Sequence, residues 1–310
     1  MVPNDKTGEF DACHMQPTSS GLLQKLYILG LLVSLPFLVA TFAVYAILPE
    51  LHNVPGMSLM CYVASLSVSC LLLALKRMKV YEHQSVMCQV TGYTIYFTLM
   101  ASFFWLNVMS FDIYWTFTGS RGWMTERQKF LYYCLYAWGI PLMFVSLILL
   151  FDHTTLISDK NLRPNVGEES CFLKQQKLTS FLYFYFPLML LIIANMFFFA
   201  STVICLHKTE QANVIMMRGN SRRHTKAHHD RNRFGLYLRL FTIMGSTCSL
   251  EIIHWLVTDS QSFFLHWVKD VLETLYFLLS ILFFLLFIWK PRVKKLLLQR
   301  FGCSKGEIIS

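Results

Sequence analysis

The chain has 310 residues, of which 55% are hydrophobic, 15% aromatic and only 15% charged, with a mean hydropathy of +0.47. A soluble domain carries about 25% charged residues, so water is excluded as the main solvent. The net charge of +9 is read as topological, since Lys and Arg stay on the cytoplasmic side of a membrane and are drawn to anionic lipid. No nucleic-acid partner is expected.

Seven apolar segments stand at 22–48, 57–75, 86–112, 131–151, 178–206, 234–257 and 269–289. They leave no stretch long enough for a soluble domain of roughly 50 residues. The expected fold is an all-α membrane protein, a seven-transmembrane helix bundle over 22–289 with a polar tail at 1–21 and a second tail at 290–310. Residues 1–21 lack the charged-then-apolar build of a cleavable signal peptide, so helix one is expected to serve as its own insertion signal. No asparagine stands in an Asn-x-Ser/Thr glycosylation pattern. With the N-terminus outside, most of the 27 Lys and Arg residues fall on the cytoplasmic side. The margin is modest, because the first cytoplasmic loop, 49–56, has no Lys or Arg and the first external loop has Lys76, Arg77 and Lys79.

Helix three is the stretch around which the rest is arranged. It opens at Cys88, closes at Asp112, and has no charge between them. At about 1.5 Å rise per residue it exceeds the ~30 Å of hydrocarbon that must be crossed. Helix four carries Trp138, Gly139 and Pro141, and helix five Pro187 and Asn195. In a bilayer Gly allows close helix approach, Pro bends a helix, and Asn needs a partner across an interface. All of these are read as bundle-packing devices.

Cys61, Cys70, Cys134, Cys205 and Cys248 lie in apolar segments and are read as packing residues. Cys88 and Cys171 both fall on the oxidising side, where a disulfide would pin the loop 152–177 over the mouth of the bundle. The alternative is a pair of free thiols. In the C-terminal tail Val293, Leu296, Leu297 and Phe301 recur at helical spacing between basic residues. That pattern suits an amphipathic helix on the inner leaflet, with Cys303 after it as a candidate for palmitoylation.

Charges in helices six and seven need a reason, because each one at mid-bilayer costs about 2.5–3.5 kcal/mol on insertion scales. Glu251 and His254 are three residues apart, as are Asp270 and Glu273, so each pair shares a helix face. With Lys76 and Arg77 they would line an external cavity able to take a polar ligand. The competing readings are an ion-pair cluster that fixes helix order and side chains that snorkel to water. A metal site is not expected. Glu251 and His254 have no second carboxylate–histidine pair in helix seven, and His224, His228 and His229 have no cysteine partners. Helix seven has no lysine inside its apolar run to hold retinal. No cofactor and no catalytic site are expected.

Several long segments resemble the Methuselah-like receptors of insects, relatives of the secretin and adhesion families of G-protein-coupled receptors. They are FFWLNVMSFDIYWTF (103–117), ERQKFLYYCLYAWGIP (126–141), LRPNVGEESCF (162–172), FLYFYFPLMLLIIANMFFF (181–199), FGLYLRLFTIMG (234–245) and FIWKPRVKKLL (287–297). The resemblance implies a plasma-membrane receptor that signals to heterotrimeric G proteins through movement of helix six, with a peptide or protein as ligand. Such receptors usually carry a large cysteine-rich ectodomain before helix one, where this sequence has residues 1–21. Cys248 stands where the family tends to have Trp, and Leu279-Ser280 where it has Gln-Gly.

For a receptor, Asp112 at the end of helix three and Arg239 in helix six, with Arg233, form a candidate resting-state latch, and Gly245 a candidate pivot. Otherwise Arg239 snorkels to lipid headgroups. The basic loop 207–233 offers a surface for the G-protein α subunit. Two other readings stay open: a signalling-incompetent or truncated receptor acting as a scaffold, and a seven-helix transporter or channel.

Overall fold

The computed structural model describes residues 18–82, 84–118, 124–154, 162–168, 170–173 and 177–216. Five long apolar helices lie within them. Helix one is Thr18–Ile47, helix two Val54–Arg77, helix three Val86–Phe117 and helix four Glu126–His153. Helix five begins as Lys177–Ser180, passes through a π-helical turn at Phe181–Tyr185 and continues as Phe186–Met216. The two further helices expected at 234–257 and 269–289, and the amphipathic stretch of the tail, lie outside the described residues.

Local chemistry starts three of these helices. The Asn53 side chain accepts from Gly56 N at 2.9 Å and Ser85 Oγ from Cys88 N at 3.1 Å, each satisfying an amide of the first turn. Helix four opens on a capping box, with Gln128 N donating to Thr125 Oγ1 at 3.3 Å and Thr125 N to Gln128 Oε1 at 3.1 Å. Inside the helices, the hydroxyls of Ser65, Ser67, Thr98, Ser110 and Thr202 donate to the carbonyl four residues earlier. That is the local answer to a solvent that offers no hydrogen bonds.

Helix three is the axis. It packs against helices two, four and five, and 78% of its most apolar window is buried, against 22–44% for the other four. Every residue from Met100 to Ser110 is buried. Helices four and five instead turn large apolar side chains outward, among them Leu131, Leu135, Leu142, Ile193 and Phe197, as lipid-facing surfaces do and water-facing ones rarely do. Asp112, expected to close helix three, lies inside it, because the helix runs on to Phe117.

Candidate functional site

The Cys88 end of helix three is tied to the segment 162–173. Cys88 and Cys171 form a disulfide across 83 positions of sequence, so the pairing expected from topology is present. The loop then lies directly on the helix. A Cβ at Gly92 would come within 2.7 Å of Val166 Cγ1 and 3.3 Å of the Cys171 carbonyl carbon, so a larger residue would lift the loop. Gly167 turns over Gln89 with φ of +95°, a conformation open to glycine at little cost, and its carbonyl accepts from Gln84 N at 2.9 Å.

Asp152, near the end of helix four, completes this anchorage. Its carboxylate accepts from Tyr93 Oη at 2.6 Å, Asn165 N at 2.7 Å and Val166 N at 3.3 Å. Nothing in the sequence singled this residue out beyond a charge at a helix end. Of the ligand-pocket candidates, Lys76 holds its ammonium over the Phe172 ring, 4.9 Å from the centroid, a cation–π contact that links helix two to the residue next to the disulfide. Arg77 ends helix two beside it. Glu251, His254, Asp270 and Glu273 lie outside the described residues.

Midway along, Asn195 meets the partner its burial requires. Asn107 Nδ2 donates to Asn195 Oδ1 and Tyr136 Oη to Asn107 Oδ1, both at 2.9 Å. One network thus joins helices three, four and five. Trp138 stacks on Phe97 at 5.7 Å and meets Trp105 edge-on at 5.9 Å, while Pro141 and Pro187 are buried. Gly139 departs from the expected close approach. It is exposed, and a Cβ there would meet nothing within 4 Å among the described residues.

At the other end, Asp112 is 5% exposed and is held by two groups of helix four. Lys129 Nζ forms an ion pair with Asp112 Oδ1, and Tyr133 Oη donates to the same oxygen at 2.9 Å. The ammonium also lies 5.8 Å from the Tyr133 ring centroid. A cation in the first turns of a helix opposes the helix dipole, so Lys129 gains from Asp112 what its position on helix four denies it. In the sequence Lys129 counted only as a topological charge. The available signal was Lys129 and Tyr133 four residues apart, and therefore on one face. Cys205 Sγ, 3.2 Å from Phe117 O, joins helix five to the same end. Arg233, Arg239, Gly245 and Cys303 lie outside the described residues.

A bundle of membrane-length helices, with a disulfide-tied loop at one end and a buried carboxylate in an ion pair at the other, is the setting for the sequence comparisons. The family profile described as 7 transmembrane receptor (Secretin family) matches residues 20–302. The chain belongs to this secretin family of seven-transmembrane receptors. It is 35% identical over 281 residues to "G-protein coupled receptor Mth2" of Drosophila simulans, covering 89% of this chain and 51% of that protein. It is 35% identical over 289 residues to "Probable G-protein coupled receptor Mth-like 10" of Drosophila melanogaster, covering 89% and 48%. With "G-protein coupled receptor Mth" of Drosophila melanogaster the identity is 30% over 281 residues, covering 89% and 53%. The chain therefore spans about half the length of these relatives. The resemblance to Methuselah-like receptors is upheld, and the secretin family consists of multi-pass membrane receptors, not enzymes.

Proposed function

We propose that this chain is the membrane domain of a Methuselah-like G-protein-coupled receptor of the plasma membrane, passing an external signal to a heterotrimeric G protein. The proposal includes seven helices over 22–289, an amphipathic cytoplasmic helix within 290–310, and an N-terminus outside. The Cys88–Cys171 bond supports that orientation, since disulfides persist on the oxidising face of a membrane. Peptide or protein ligands fit an external mouth that takes in Lys76 and Arg77, with Glu251, His254, Asp270 and Glu273 from helices six and seven. On the inner face the receptor meets the G protein and anionic lipid, with Cys303 as a lipid attachment point.

The observation that carries this reading is the Asp112 cluster. A buried carboxylate held by one ammonium and one hydroxyl is a reversible contact in the last turns of the central helix, where a moving partner competes for it. In the proposed cycle Asp112 exchanges between its helix-four partners and the helix-six guanidiniums of Arg239 and Arg233. Helix six pivots at Gly245, and the G protein binds the open state better.

The test is a second-messenger panel in cells expressing the chain, beside Asp112→Ala and a surface-expression control. Basal output that rises in the variant and disappears when G proteins are disabled supports the receptor reading. Silence from protein shown to be at the surface favours the scaffold reading instead.

A further inference from the structure

Pro187 has no amide hydrogen, so in a regular α-helix the carbonyl of Tyr183, four residues earlier, loses its donor. Helix five answers with the π-turn Phe181–Tyr185, closed by Phe186 N on Phe181 O. The Tyr183 carbonyl is served from another helix: Tyr96 Oη of helix three, on a side chain 2% exposed, donates to it at 2.6 Å. The same Tyr183 reaches the other way, its own hydroxyl donating to Leu162 O of the disulfide-tied segment at 3.2 Å. Between these two bonds sits Phe184, 4% exposed. It stands edge-on to Phe172 at 6.0 Å, to Tyr96 at 6.2 Å and to Phe103 at 6.5 Å.

We propose that Tyr96 is the positioning residue of a hinge in helix five: its hydroxyl replaces the amide that Pro187 withholds and thereby couples the segment 162–173 to the seating of helix five on helix three. π-turns inside α-helices recur at functional sites because the extra residue can be accommodated in more than one way. Here each accommodation changes what the loop holds. A pull on Leu162 or Phe172 moves Tyr183 and Phe184, and with them the helix that carries Asn195 to Asn107. Its use in signalling rests on the receptor reading, whereas the hinge itself does not.

The test is a double-mutant cycle on the purified full chain in lipid nanodiscs, read by hydrogen exchange. Tyr96→Phe is expected to speed amide exchange across 181–188 by roughly tenfold, the range for a buried carbonyl left without its partner. In a Pro187→Ala background, where the restored amide serves the Tyr183 carbonyl, the same substitution should change exchange by less than about twofold. Equal effects in the two backgrounds, or no effect of Tyr96→Phe in the first, overturn the proposal. Should Tyr96→Phe fail to fold, Tyr183→Phe removes only the outer hydroxyl. Faster exchange in both 162–168 and the π-turn is expected, and a change confined to the loop overturns the coupling. Second-messenger output in the same variants separates the two readings. A coupled cycle with no output from any surfaced variant sinks the receptor reading alone, and output with an uncoupled cycle sinks the hinge alone.

Discussion

At the Cys88 end, helix three is held by a covalent bond, by a carboxylate that takes two loop amides, and by a loop lying close enough to require Gly92. At the Asp112 end, among the described residues, it is held by an ammonium and a phenol on one carboxylate oxygen and by the Cys205 thiol at the Phe117 carbonyl. The disulfide cannot open by a rotamer change, and the Asp152 carboxylate is held by two backbone amides of the loop at once. Side-chain contacts exchange by rotamer changes on far shorter timescales. The same helix is thus anchored at one end and exchangeable at the other.

The comparison is broken most directly at the anchored end. Cys88→Ser should cost roughly 2–5 kcal/mol, the range for a native disulfide closing a long loop, and is measured as a fall in the thermal unfolding midpoint of purified protein without reductant. A midpoint unchanged from the parent would mean that the loop is held without the bond. Next comes Asp152→Ala, which leaves Asn165 N, Val166 N and Tyr93 Oη without their acceptor. A loss of about 1–3 kcal/mol is expected, together with faster amide exchange at 163–167.

The exchangeable end should respond less in stability and more in signalling. Lys129→Ala is expected to cost about 1–3 kcal/mol by taking from the Asp112 carboxylate its charged partner, and to lower basal second-messenger output, since Asp112 is then left to the helix-six guanidiniums of the resting latch. Adding Asp112→Asn should recover part of the stability, because the uncompensated charge is removed. A double variant as destabilised as the sum of the singles would show that the pair does not act as a unit. The smallest effect belongs to the middle of the helix. A cycle between Asn107→Leu and Asn195→Leu should give a coupling of about 0.6 kcal/mol, typical of hydrogen bonds between membrane helices, and a coupling near zero would remove Asn195 from the network.

Much of this architecture was legible before any coordinates. Helices one to five follow from composition, because a chain in hydrocarbon must satisfy its backbone within long apolar helices. Cys88 and Cys171 could be paired from their shared side of the membrane, Asp112 was conspicuous as a charge after a long apolar run, and Asn195 demanded a partner. What could not be read was which face of each helix meets which neighbour. In water the apolar stripe of a helix points to the core. In lipid that signal fades, since the outward faces of helices four and five are as apolar as the buried stretch Met100–Ser110.

Everything that depends on rotational phase was therefore decided by the tertiary structure. The sequence by itself determined that this is a multi-helix membrane chain of the Methuselah-like type, with a cysteine at one end of its central helix and an aspartate near the other. Only packing decided that Lys129 and Tyr133 hold Asp112, that Asp152 fastens the loop, and that Tyr96 serves the carbonyl freed by Pro187. Each of those contacts joins residues on different helices or between a helix and a loop. Their meeting is set by the angle at which helices pack, a quantity that apolar composition on every side leaves unwritten in the chain.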